Sequence, residues 1–286
     1  MLDEILSAVR EIAKDATGEL GFGFLDFNTG KSCCLNGEKP LPTASVFKIF
    51  VLMELYRQIQ EGELAETMRL TATPENASPG SGGLKRMLHG VEMSLHDHAV
   101  LMMMISDNTS SDLLFRLVGR ENIRKNLIEK LGLSNTRIQV DCKGLIHLAR
   151  TAGSHMGDAY LCKDPENDYA SPADMLQLLR ALHDGTILNE ASTERVLSLM
   201  HPYPQYSRLE KYLPTGTKIV RKTGSLERLA NDAGIVYTDK GDYAIVVFYN
   251  GNTATREEYD REHHRHLAEE LIAKISKAVY DIYTQN

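Results

Sequence analysis

Where apolar residues alternate, and where they recur every three or four positions, constrains this chain more than any other feature of it. A period of two belongs to the two ends. Leu20-Gly21-Phe22-Gly23-Phe24-Leu25-Asp26-Phe27 predicts a strand, Asn28-Thr29-Gly30 a turn, and Lys31 to Leu35 its hairpin partner. Near residue 215 the same period returns, and Thr217 to Gly224, Ala233 to Tyr237 and Tyr243 to Phe248 predict three antiparallel strands. Between these ends almost everything periodic is helical: from Ser45 to Gly62, Ser94 to Ile105, Thr109 to Gly119, Ile123 to Leu131, Ser171 to Gly185, and Thr193 to Met200. From Thr136 to Ala170 the pattern dissolves into a long polar connection, a length that usually signals function. The first helix (Leu2, Ile5, Leu6, Val9, Ile12) and the last (Leu267, Leu271, Ile275, Val279, Ile282) each carry one apolar face. The economical arrangement is α+β. One antiparallel sheet is built from both chain ends and flanked by the terminal helices, giving a discontinuous lobe of residues 1–41 and 210–286. Residues 42–209 form an all-helical second lobe, with a cleft between the two.

Charge and composition remove several function classes. The 286 residues carry a net charge of -7, with no basic block or stripe, which argues against a nucleic acid or an anionic membrane as partner. The run Ala99 to Ile105 is far too short to span a bilayer, so no membrane insertion is expected. Met1 to Glu4 shows no basic segment followed by an apolar one. The chain as written therefore reads as cytoplasmic, or as secreted had a leader been removed. Cys33, Cys34, Cys142 and Cys162 have neither C-x-x-C spacing nor histidine partners, so they suggest no disulfide framework or zinc site. His96 and His98 face different sides of their helix, and His263, His264 and His266 lack acid or cysteine partners. No metal or organic cofactor is expected, and the partner expected is a small-molecule substrate bound by a monomer.

Three short motifs carry the chemistry. Ser45-x-x-Lys48 opens a helix, which places a hydroxyl one turn from an amine that could take its proton. A lysine does this only when burial or a neighbouring cation lowers its pKa, and the apolar turn around it supplies the burial. Ser106-Asp107-Asn108 breaks the chain between two helices, and Lys222-Thr223-Gly224 lies on a strand. Each motif is weak by itself. The three in this order, each in its own kind of element, are the signature of class A β-lactamases and penicillin-binding proteins. Over essentially its whole length the chain resembles a penicillin-recognising serine hydrolase, and within that family it is most similar to the class A β-lactamase-related proteins. Phe24 to Gly30, the Ser171-Pro172 helix start and Asn231 to Val236 add to the likeness.

The resemblance implies a β-lactamase/transpeptidase-like fold and a role for each motif residue. Ser45 would be the acylating nucleophile and Lys48 its proton acceptor, and Ser106 would pass a proton to the leaving nitrogen. Asn108 would hold the substrate amide and the Lys48 amine. Lys222 would lower the pKa of Lys48 and attract a substrate carboxylate, which Thr223 would hydrogen-bond. Gly224 completes that strand motif, and the backbone N–H groups of Ser45 and Ser225 would form the oxyanion hole.

In one place the chain departs from the family. Class A members carry a glutamate that activates the deacylating water, in the context T-R-L-D-R-W-E-P-E-L-N. Here Thr136-Arg137 is followed by Ile138-Gln139-Val140-Asp141-Cys142, and the glutamate position falls on Cys142. Asp141, His155 and Glu166 remain as candidate bases. The reading is a β-lactamase-type serine hydrolase that acylates readily and deacylates slowly or through a non-standard base. The alternatives are a D-alanyl-D-alanine peptidase or esterase, and a penicillin-binding sensor that does not turn over.

Overall fold

The computed structural model describes residues 1–87, 89–151, 166–200, 207–226, 229–251 and 261–285. In chain order the elements are α1 (Leu2–Ala13), β1 (Glu19–Asp26), β2 (Ser32–Leu35), β3 (Leu41–Pro42), α2 (Lys48–Gln60), β4 (Arg69–Ala72), β5 (Val91–Ser94), α3 (Leu95–Met104), α4 (Asn108–Val118), α5 (Arg120–Ile123), α6 (Cys142–Thr151), β6 (Tyr169–Ala170), α7 (Pro172–His183), α8 (Glu190–Met200), β7 (Ile219–Ser225), β8 (Leu229–Thr238), β9 (Gly241–Asn250) and α9 (Arg261–Gln285).

Both chain ends meet in one antiparallel sheet of order β2-β1-β9-β8-β7. The central strand β9 is buried on both faces, which is why it reads as a nearly unbroken apolar run. Tyr243, Ile245 and Val247 point to one side, where Ile5 and Val9 of α1 and Ile272, Ile275 and Val279 of α9 cover them. Ala244, Val246 and Phe248 point to the other, into a core shared with α2 and α7. Each strand therefore contributes alternate side chains to two separate cores. Glycine in β1 admits the helix on that second face: a Cβ at Gly23 would lie 2.9 Å from Leu176, and one at Gly21 2.8 Å from Pro172.

α7 starts as its sequence predicts, with Ser171 accepting from the backbone N–H of Asp174 and proline in the first turn. Two features were not foreseen. The stretch from Thr136 to Ala170 holds the helix α6, whose first backbone N–H groups, those of Cys142 and Lys143, are satisfied by the buried carboxylate of Asp112 at 2.7 and 3.1 Å. Asp141, just before the helix, caps it locally by accepting from Gly144 N–H at 2.9 Å, and Asp112, thirty residues upstream, supplies the remaining acceptors. The middle of the chain also carries two short ribbons among its helices, β4 with β5 and β3 with β6. Strands of two to four residues are too short to display a period. No described helix is long and apolar enough to cross a membrane.

Candidate active site

Ser45 lies on a tight turn. Residues Ala44–Phe47 form a 3₁₀ helix that runs directly into α2, in place of the α-helical start expected from the sequence. Side chains three apart eclipse one another in that geometry, so Ser45 and Lys48 share a face more closely than on an α-helix. The turn is tied down from the sheet. The Asn231 side chain on β8 donates to the carbonyl oxygens of Pro42 and Thr43 at 2.7 and 3.1 Å. On β7, Gly224 leaves room for the turn, since a Cβ there would stand 2.6 Å from the Thr43 carbonyl oxygen. Ala44 adopts a positive φ of 44°, a conformation that costs an ordinary residue roughly 1–2 kcal/mol and that these tethers sustain.

Lys48 is fully buried. Its amine donates to the backbone oxygen of Ser106 at 3.0 Å, to Ser106 Oγ at 2.9 Å and to Asn108 Oδ1 at 2.9 Å. Burial pushes the amine below its usual range, against the nearby carboxylates of Asp112 and Asp107. Cys142 also lies beside it, but burial raises that thiol to about 12. At neutral pH Cys142 is an uncharged S–H and supplies no counter-charge to the lysine.

The Ser106-Asp107-Asn108 break has a positive φ of 56° at Ser106. It is held by the Gly- and Ser-rich segment before it. Asn108 N–H donates to the Ser81 carbonyl at 3.1 Å, Asn108 Nδ2 to that of Pro79 at 2.7 Å, and Leu84 N–H to Asp107 Oδ2 at 3.1 Å. Asp107 also caps α4 by accepting from Ser110 N–H at 2.9 Å. Gly82 meets this loop so closely that a Cβ would sit 2.0 Å from Asp107 Oδ2. The glycines at 80 and 82 thus serve close packing under the site.

Across the cleft, Lys222 on β7 donates to Ser106 Oγ at 3.1 Å and to the Thr223 carbonyl at 2.9 Å. Burial, and then the charge of Lys48, hold this second amine well below its ordinary value. The two amines meet on one hydroxyl, and burial together with their mutual repulsion disfavours the doubly charged pair.

The cleft brings together most of the residues singled out from sequence: Ser45, Ser106, Lys222, Thr223 and Ser225 line it, and Lys48 and Asn108 support it from behind. Asp141 is engaged elsewhere, accepting from Gly144 N–H at 2.9 Å and lying 3.3 Å from Arg116. Glu166 is exposed. Neither is among the described residues lining the cleft. His155 lies outside the described residues. Other lining residues, Arg208 foremost, had no signal in the sequence. Arg208, buried and at a positive φ of 50°, donates to the carbonyls of Gly224 and Asn231 at 2.8 and 2.7 Å and to Ser225 Oγ at 2.5 Å. It sits before the strand motif in an irregular stretch with no recognisable spacing.

This fold, with these side chains in its cleft, is that of the β-lactamase and penicillin-binding serine hydrolases. The family model described as the Beta-lactamase enzyme family matches residues 4–283, and the chain belongs to that family. It is 24% identical over 256 residues to the extended-spectrum β-lactamase PER-1 of Pseudomonas aeruginosa, covering 86% of this chain and 76% of that protein. A β-lactamase crystal structure from Sphaerobacter thermophilus superposes with a TM-score of 0.83 at 25% identity, covering 100% of this chain and 99% of that one. The structure of PBP-A superposes with a TM-score of 0.82 at 22% identity, covering 100% and 97%.

Proposed function

We propose that the protein opens β-lactam amides through an acyl-enzyme on Ser45. A neutral Lys48 amine takes the Ser45 proton as the oxygen attacks the carbonyl. The backbone N–H groups of Ser45 and Ser225 receive the developing oxyanion, at roughly 3 kcal/mol per donor. Ser106 then protonates the departing nitrogen and is resupplied from the amine pair. The observation that carries this reading is the buried Lys48 amine, held against Ser106 and Asn108 with a second depressed amine on the same hydroxyl. The same reading divides the chain into a discontinuous sheet lobe (1–41 and 210–286) and a helical lobe (42–209), acting as a monomer.

Release of the acyl group is the slow part. Hydrolysis needs a base for the incoming water, and the position that would carry one holds Cys142, a neutral thiol at neutral pH. That observation favours a second reading, in which the chain is acylated and holds the adduct. Mixing the protein with a chromogenic cephalosporin, and following colour and intact mass beside Ser45→Ala, separates the two. Many turnovers with little adduct support the hydrolase. One turnover with a persistent adduct supports the holding protein. Neither colour nor adduct refutes both.

A further inference from the structure

Helix α3 ends in apolar side chains that its own packing does not use. Leu95, Ala99 and Met102 recur at helical spacing and are buried in the core. Met104 and Ile105 lie off that face. They are 37% and 52% exposed, although they belong to residue types that a fold readily buries. The chain turns immediately after them, at the positive φ of Ser106, and both line the cleft next to that residue. Among the described residues, no other large apolar side chain this exposed lines it. The remaining lining residues say which part of a substrate would meet them. The cavity encloses about 240 Å³ and holds Ser45, Ser106, Lys222, Thr223 and Arg208. Asn108, the residue for the acyl amide, is not among the described residues lining it. The cavity thus lies on the side of Ser45 that receives the leaving nitrogen. Its β7 wall is polar and cationic, and its α3 wall is apolar. A space of about 150 Å³ holds a benzene ring, so this one admits a small ring together with a substituent.

We propose that Met104 and Ile105 form an apolar shelf that selects substrates by the group carried on the leaving-nitrogen side. Acyl compounds whose leaving portion bears a hydrocarbon or aromatic substituent acylate Ser45 in preference to those bearing a small or polar one. The proposal rests on the acyl-serine reading above and names the substrate class it selects. Binding such a substituent removes both side chains and the substituent itself from water, and the gain scales with the apolar area covered.

The test uses two cephalosporins with the same acyl side chain, one bearing methyl and the other benzyl at C3 of the ring that contains the leaving nitrogen. Ser45 acylation is followed by loss of β-lactam absorbance and by intact mass. Ile105→Asn should lower the benzyl-to-methyl rate ratio about tenfold, the usual worth of a small apolar contact in a pocket. Ring reactivity differs between the two compounds but cancels when the proteins are compared. Ile105 is the C-terminal cap of α3, a place where asparagine is tolerated. Met68→Gln, at an exposed methionine outside the cleft, should leave the ratio where it was. If Ile105→Asn does not fold, the unaltered protein answers through a series with methyl, propyl and pentyl at C3, whose acylation rate must rise with chain length. A ratio unchanged or raised by Ile105→Asn, a fall that Met68→Gln matches, or a series flat with length overturns the shelf while leaving the acyl-serine reading intact. Failure of every compound to acylate Ser45 overturns both.

Discussion

Asp168 gives the sharpest quantitative prediction. It lies just before β6, fully buried, between the loop that leads to Cys142 and the turn that carries Ser45. Its Oδ1 accepts from the backbone N–H groups of Gln139 and Val140 at 2.5 and 3.0 Å, and its own carbonyl accepts from Thr43 N–H at 3.1 Å. Oδ2 is buried with no hydrogen-bond partner among the described residues. Burial outweighs the two backbone donors and pushes the carboxyl up from 3.8 to about 7. Between those values the folded protein keeps a proton that the unfolded chain has lost. The unfolded state thus binds fewer protons, and stability falls as pH rises from about 4 to about 7, levelling off on either side. A gap of about three units, at 1.36 kcal/mol each, makes the full effect about 4 kcal/mol. Asp168→Asn keeps the Oδ1 acceptor and cannot ionise. Any cost of its unpaired amide is the same at every pH. Urea unfolding of both proteins at pH 5, 6, 7 and 8 should show the variant gaining on the wild type by about 3 kcal/mol from pH 5 to pH 8. Parallel profiles, or a wild type that gains as pH rises, would refute the argument that an unpaired buried carboxyl sits here.

Three further outcomes follow from the site. Cys142→Glu puts a carboxylate beside Lys48, and the Ser45 adduct of a penicillin should decay at least tenfold faster in time-resolved intact mass, with Cys142→Ser as the comparison that leaves decay slow. Gly224→Ala drives a methyl group into the Thr43 carbonyl. It should cost about 1–3 kcal/mol of stability by urea titration and most of the acylation rate, because the Ser45 turn must retreat from β7. Acylation should rise with pH through an apparent value below the ordinary lysine range, since burial lowers Lys48. Lys222→Met removes the neighbouring cation and should move that limb to higher pH. A limb that stays in place would show that burial by itself sets the amine.

The chain's own pattern carried the sheet, the terminal helices and the three motifs, because each is written in local periods and spacings. β9 declared itself by an apolar run buried on both faces, α7 by Ser171-Pro172, and the motif residues by their order along the chain. Other features depended on long-range contact. The Ser45 turn is a 3₁₀ helix because Asn231 and Gly224, far along the chain, pin and admit it. α6 starts on Asp112 as well as on its own Asp141, and the Ser106 break is held by carbonyls of the glycine-rich loop. Arg208 and Glu269 meet at the cleft from separate irregular and helical segments. Sequence alone determined which functional groups are available, since those are chemical identities at local spacings. The tertiary structure decided which of them are buried, paired or opposed, because burial and distance set the charge each one carries.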